Sequence, residues 1–205
     1  ESMMNGSDQS YLNQRPFPAY RGNKPYIFTS YAHADSAKVF AELVKFHGQG
    51  YPIWYDEGIE AGNKWGDEIA NAISNCSLFI VFLTPQSAKS ENVQDEIDFA
   101  ISENRKVLPI HLEKTELTGG LKMKLQRVQA ILRYAVSDDE YCRKYTSAFE
   151  ACKVPMLEQL KNEAFMNSPF MPSFYSSPNS SGDSVMLEFI NGPLSGQSFS
   201  YHTEV

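Results

Sequence analysis

Ser77-Leu78-Phe79-Ile80-Val81-Phe82-Leu83-Thr84 runs into Pro85-Gln86-Ser87-Ala88-Lys89-Ser90 and then Glu91-Asn92-Val93-Gln94-Asp95-Glu96-Ile97-Asp98-Phe99-Ala100. The first part is a continuous apolar run of strand length, rich in Phe, Ile and Val. A strand that hides both faces has this composition, which predicts a place at the centre of a parallel sheet. The middle is a short polar loop opened by a proline. The last part predicts a helix capped at Ser90, with Glu91 in its first turn and Val93, Ile97 and Ile101 on one face. Strand, loop and helix together place the Glu96 carboxylate near the carboxyl edge of a sheet.

The flanking sequence supplies the other layers. Tyr26-Ile27-Phe28-Thr29-Ser30-Tyr31 is an aromatic and β-branched run and predicts a strand. His33-Ala34-Asp35 follows as a loop, and Asp35 or Ser36 is a suitable cap for a helix bearing Val39, Phe40, Leu43, Val44 and Phe46. Gly48 and Gly50 end that helix. Tyr51 to Tyr55 predicts a short strand, with Pro52 marking its start or an edge position. Asp56 to Asn63 is an acidic, glycine-containing loop, and Trp65 to Asn75 a helix. Lys106 to Leu112 and Val128 to Leu132 predict further strands, with a short helix from Thr118 to Gln126 between them. A helix from Asp138 to about Lys153 resumes after Pro155 through Phe165. Strands alternating with helices call for parallel pairing and right-handed crossovers. The predicted fold is therefore α/β: a doubly wound sheet of five parallel strands with helices on both faces.

The expected organisation is a disordered leader over 1–23, the α/β domain over 24–153, a helical extension over 154–165 and a Ser/Pro-rich linker over 166–184. Residues 185–205 read as a β-hairpin, too small to stand alone, that begins a second, β-rich domain. The chain opens on Glu1 rather than Met and so reads as a fragment.

Bulk properties exclude several classes. The net charge of −7 argues against nucleic acid or an anionic membrane as the main partner. Three cysteines without CxxC spacing argue against a disulfide framework or a zinc site and for a reducing, cytoplasmic setting. The four histidines are scattered, and no metal is expected. No apolar run is long enough to span a bilayer. Ligands of open α/β sheets bind beyond the carboxyl ends of the strands, here after Tyr31 and Thr84 if the first strand lies beside the third. Ala32-His33-Ala34-Asp35 is not GxGxxG, and no GxxxxGK[ST] or GxSxG occurs. Ser30, Tyr31, Asp56, Trp65, Ser87 and Glu96 are left as candidates. Carboxylates, aromatics and hydroxyls in this mixture suit cleavage of a glycosidic bond, whose oxocarbenium-like state a carboxylate stabilises.

The same residues carry a family likeness. From about Lys24 to Lys153 the chain resembles a Toll/interleukin-1 receptor (TIR) domain of the bacterial type. The matching pieces are Tyr26–Tyr31 for the first box, Ile53 to Gly62 for the BB loop, Trp65 to Ser74 for the next helix, and Ser77 to Leu83 with Ser87, Ser90 and Glu96-Ile97. The resemblance implies a flavodoxin-like fold. It implies an NAD+ nucleosidase that releases nicotinamide and forms ADP-ribose or a cyclic variant in defence signalling, with NAD+ consumed as substrate and no cofactor. Glu96 stands where the family's essential glutamate stands, and Trp65 where an aromatic lies beside the substrate. Ser30, Tyr31, Asp56 and Ser87 are expected to bind substrate. The BB loop (Asp56-Asn63) is expected to join other TIR domains into a homo-oligomer on activation. The competing reading is a non-catalytic TIR–TIR interaction module. His33 reads as a solvent residue, His111 and Cys76 as structural, and Ser90 as a cap. The hairpin from Met186 faintly resembles the start of a forkhead-associated domain.

Overall fold

β1 (Ile27–Ser30), β2 (Ile53–Tyr55), β3 (Leu78–Leu83), β4 (Val107–His111) and β5 (Ile131–Leu132) form one sheet in the order β2-β1-β3-β4-β5. Every pairing in it is parallel. The computed structural model describes residues 15–56, 65–117, 119–166, 173–174, 184–188 and 198–202. The sheet is crossed by α1 (Ser36–Gly48), α2 (Trp65–Asn75), α3 (Glu91–Ser102), α4 (Gly119–Leu125) and α5 (Asp138–Ala151). The predicted flavodoxin-like, doubly wound α/β fold is what the chain adopts.

The apolar run of β3 is explained by two cores. Leu78, Ile80 and Phe82 enter a cluster with Val39, Leu43 and Phe46 of α1 and Tyr141, Tyr145 and Phe149 of α5. Phe79, Val81 and Leu83 point the other way, into a cluster with Ile69 and Ile73 of α2, Val93 and Ile97 of α3, and Leu121 and Leu125 of α4. Successive side chains of a strand alternate between faces, so a strand buried on both sides has no polar positions. Phe28 and Phe79, adjacent in register, stack at 5.3 Å, and Trp54 stacks on Phe28 at 4.8 Å.

Local chemistry trims the predicted elements. β5 is shorter than the predicted 128–132 strand because the Val128 N–H donates to the Leu125 carbonyl at 3.0 Å, closing α4 rather than joining a ladder. Gly50 takes φ 90°, a left-handed conformation that suits glycine, and its N–H donates to His47. Asp35 precedes α1 but makes no capping bond to it. Pro52 falls just before β2, and β2 is an edge strand.

Residues 15–23, assigned from sequence to a disordered leader, pack along β2. Ala19 is buried, the Tyr20 N–H donates to the Ile53 carbonyl at 2.7 Å, and the Phe17 ring stacks on His47 at 3.9 Å. The polar composition concealed this because the segment is docked by scattered contacts, a ring, a small buried side chain and single hydrogen bonds, and not by a periodic apolar face.

The chain forms two units, Glu1–Leu160 and Lys161–Val205. α6 (Glu158–Met166) spans the division. In the second unit, β6 (Ser173–Phe174), β7 (Ser184–Glu188) and β8 (Ser198–His202) form an antiparallel sheet in that order. The rest of the stretch compared with a forkhead-associated domain lies outside the described residues. Among the described residues no helix is long and apolar enough to cross a membrane.

Phe79→Ala should destabilise the first unit by about 3–5 kcal/mol, because it opens a cavity at a fully buried site on the central strand. Urea unfolding followed by tryptophan fluorescence measures this. A loss below about 1 kcal/mol would contradict the packing described.

Candidate active site

The site arises where two neighbouring strands send their chains to opposite faces. After β1 the chain turns toward α1, and after β3 toward α3, which packs in the other core. The carboxyl edge between such strands opens as a crevice. Its floor is braced by a buried network. Thr84 donates from Oγ1 to the Asp35 carboxylate at 2.6 Å, tying the turn after β3 to the turn after β1. Asp35 is buried and so serves this tie instead of the helix cap expected of it.

Ser87 belongs to that network. Its Oγ accepts the Thr84 N–H at 2.8 Å and donates back to the Thr84 carbonyl at 3.2 Å. Fully buried, it is not among the cavity-lining residues, which corrects its expected role in binding substrate. Ser90 does cap α3, its hydroxyl accepting the Val93 N–H at 3.4 Å, and it also lines the cavity.

The cavity holds about 310 Å³ and is bounded by Thr29, Tyr31 and His33 on one side and by Ser90, Asn92 and Glu96 on the other, with Asp56 at its rim. Tyr31 donates its hydroxyl to the Asp56 carbonyl at 2.9 Å. His33 Nε2 lies 2.9 Å from the Asp56 carboxylate. His33 is largely exposed, as its reading as a solvent residue expects, and it also forms a wall of the cavity through its contact with Asp56. The partner that holds it, Asp56, is far away in sequence and follows β2, the strand beside β1. Asn92 was missed. It stands one helical turn before Glu96, and i, i+4 spacing puts both on one face.

Ser30 is buried at the end of β1 and faces Glu96. Its hydroxyl favours the ionised carboxylate without meeting full hydrogen-bond geometry to any group. Glu96 itself is half-buried. Burial lifts its pKa from the ordinary 4.5 to about 7; Ser30 opposes the rise, while the Asp56 and Asp95 charges add to it. Burial, reinforced by Asp56 and Glu96, holds the Tyr31 phenol neutral. The Trp65 side chain and residues 57–63 of the expected BB loop lie outside the described residues. Among those described, no group of His, Cys, Asp and Glu is arranged to hold a metal. A larger groove of about 1090 Å³ opens at the amino ends of β3 and β4, and its one carboxylate, Glu140, is tied to Lys144 at 3.0 Å.

A half-buried carboxylate of raised pKa, with a hydroxyl and a second carboxylate beside it, can hydrogen-bond a sugar hydroxyl and stabilise developing positive charge. A protein-family profile described as TIR domain matches residues 27–149. The chain belongs to the TIR domain family. This TIR domain is similar in structure to the TIR domain of the Toll-related receptor TRR-2 from Hydra magnipapillata, at 21% identity and a TM-score of 0.50. That match covers 62% of this chain and 97% of the other. At that identity the likeness is one of fold. The CMP N-glycosidase BcmB of Clostridium botulinum matches at 20% identity and a TM-score of 0.44, covering 60% of this chain and 98% of its own. The TIR domains of the activated Roq1 resistosome, which directly recognises the pathogen effector XopQ, match at 15% identity and a TM-score of 0.40, covering 72% and 87%. No curated protein matches the chain.

The sign of the Glu96 shift has a consequence for this TIR domain's stability. Between pH 4.5 and about 7 the folded protein holds a proton that the unfolded chain releases. The carboxylate's contribution is therefore fully present below the lower value and lost as pH rises through the upper one. Glu96→Gln should gain stability over wild type on going from about pH 4 to about pH 8, by at most about 3 kcal/mol. Urea melts at both pH values check this, and an equal difference at both would refute it. Asp56→Asn removes a like charge, so the Glu96 titration followed by carbon NMR should move below about 7.

Proposed function

We propose that this TIR domain is an NAD+ nucleosidase that cleaves NAD+ to nicotinamide and ADP-ribose or a cyclic variant, in defence signalling. The observation that carries this reading is the Glu96 carboxylate, its pKa lifted to about 7, in a cavity it shares with Tyr31 and Asp56. Membership of the TIR family supports it, since the residues resemble those of its nucleotide-cleaving members.

In the proposed reaction the ionised Glu96 accepts a hydrogen bond from a hydroxyl of the nicotinamide-side ribose. The bond between C1′ and the pyridinium nitrogen breaks, and its electron pair stays on nicotinamide, which departs neutral. That departure needs no general acid, so a carboxylate without an acid partner suffices. The cationic sugar left behind is stabilised by Glu96, with the Asp56 charge nearby. Water then adds to C1′ and its proton passes to the solvent, or a nitrogen of the adenine ring adds to give a cyclic product. Tyr31 bounds the substrate side of the cavity, Ser30 is buried behind the lining beside Glu96 instead of bounding it, and Trp65 is proposed to stack on a heteroaromatic ring. The cavity volume is small for a complete dinucleotide site. This agrees with a site completed by the BB loop (Asp56-Asn63) of a second copy on activation.

Incubation with NAD+, under crowding to favour assembly, should release nicotinamide, and Glu96→Ala should slow release at least about a hundredfold. Because the ionised carboxylate acts, the wild-type rate should climb with pH and level off above about 7. Undiminished release by Glu96→Ala would sink the assignment. BB-loop-dependent association with no NAD+ consumed would favour the interaction module instead.

A further inference from the structure

We propose that residues 15–21 form a strap that carries Arg15 to the mouth of the cavity, where its guanidinium binds the diphosphate of a dinucleotide. This deepens the NAD+ reading and rests on it for the identity of the substrate.

Contacts along the strap fix its direction. The Arg21 guanidinium holds Glu68 near the start of α2 at 2.6 Å. The Tyr20 N–H donates to the Ile53 carbonyl at 2.7 Å, at the beginning of β2. Further back in sequence, the Phe17 carbonyl accepts the Tyr55 hydroxyl, at the end of β2. The Phe17 ring is clamped between His47, stacked at 3.9 Å, and Tyr55, edge-on at 5.5 Å. The strap therefore runs antiparallel to β2. Toward its own start it leaves the sheet at the carboxyl edge, where Asp56 and the cavity lie. Arg15 is only two residues beyond Phe17, a reach of roughly 7 Å. Its charge is felt at the cavity wall, where it works against the burial that holds the Tyr31 phenol neutral.

The charge at the site favours a cation there. Asp56 and Glu96 line the cavity and Asp95 adds its field to theirs. Among the described lining residues only His33 is basic, and it already faces Asp56 at 2.9 Å. Such a site suits the pyridinium end of a dinucleotide and repels its diphosphate. Arginine is the side chain fitted to that group, since its planar fork bonds two phosphate oxygens together. A guanidinium carries enough N–H donors to serve a phosphate alongside its contacts within the protein. Arg15 is exposed, as a ligand contact requires. It lies outside residues 27–149, the span that the family profile matches.

The test is calorimetric titration of the full chain with ADP-ribose, which keeps the diphosphate, and with nicotinamide riboside, which lacks it. Arg15→Glu should weaken ADP-ribose about tenfold or more and should not weaken nicotinamide riboside, whose pyridinium charge the added carboxylate does not oppose. Phe17→Ala, which undocks the strap, should weaken ADP-ribose in the same direction while circular dichroism reports an intact fold. The proposal is overturned if wild type does not bind ADP-ribose, if Arg15→Glu binds it undiminished, or if both ligands weaken equally. ADP-ribose binding that depends on Arg15, in a chain that releases no nicotinamide, would uphold the strap and refute the reaction. Nicotinamide release with an unchanged KM in Arg15→Glu would do the reverse.

Discussion

Double-sided burial of β3 is the constraint from which the rest of the first unit follows. Its six residues divide between two cores, one closed by α1 and α5 and the other by α2, α3 and α4. A strand so enclosed needs neighbours on both edges, and parallel neighbours need helices to bring the chain back. The crossovers then place the turn after β1 and the start of α3 on the same edge of the sheet. The chemistry sits there because the backbone leaves that edge in two directions.

The same enclosure sets the character of Glu96. α3 lies against the sheet through Val93 and Ile97, and Glu96, directly before Ile97, is drawn to the margin of the apolar face. A carboxylate there loses much of its water, which accounts for most of its displacement toward neutral pH. Two nearby groups work in opposite senses: Asp56 resists ionisation and Ser30 favours it. Asp56 is in turn held by His33 and by the hydroxyl of Tyr31. The ionisation of Glu96 thus depends on residues from β1, from the end of β2 and from α3, and no single element controls it.

The edge strand β2 shows a second use of a constraint. An uncovered edge offers unpaired backbone groups to any passing strand. Here part of that edge is met by the segment before β1, held by Phe17 and Tyr20. Covering the edge also lays the strap beside the last residue of β2, next to Asp56.

The strand and helix order, the central place of β3 and the position of Glu96 near the carboxyl edge were legible in the sequence. Hydrophobic periodicity reports burial directly, and β3 and α3 are strongly periodic in their separate ways. The Ser90 cap was legible too, because capping is local. Less was visible wherever a residue's role depends on a partner from another element. Ser87 looked like a loop hydroxyl available to a ligand, yet the turn at Thr84 consumes it. Asp35 looked like a cap, yet Thr84 takes it from across the sheet edge. His33 looked solvated and is largely exposed, yet Asp56, supplied by the neighbouring strand, also makes it a wall of the cavity. Residues 15–23 looked featureless because docking by scattered single contacts leaves no period. The sequence by itself determined which segments are buried and which local caps form, since those depend on neighbours along the chain. Only the tertiary structure decided which polar groups meet and what charge Glu96 carries, since those depend on distances between segments far apart in it.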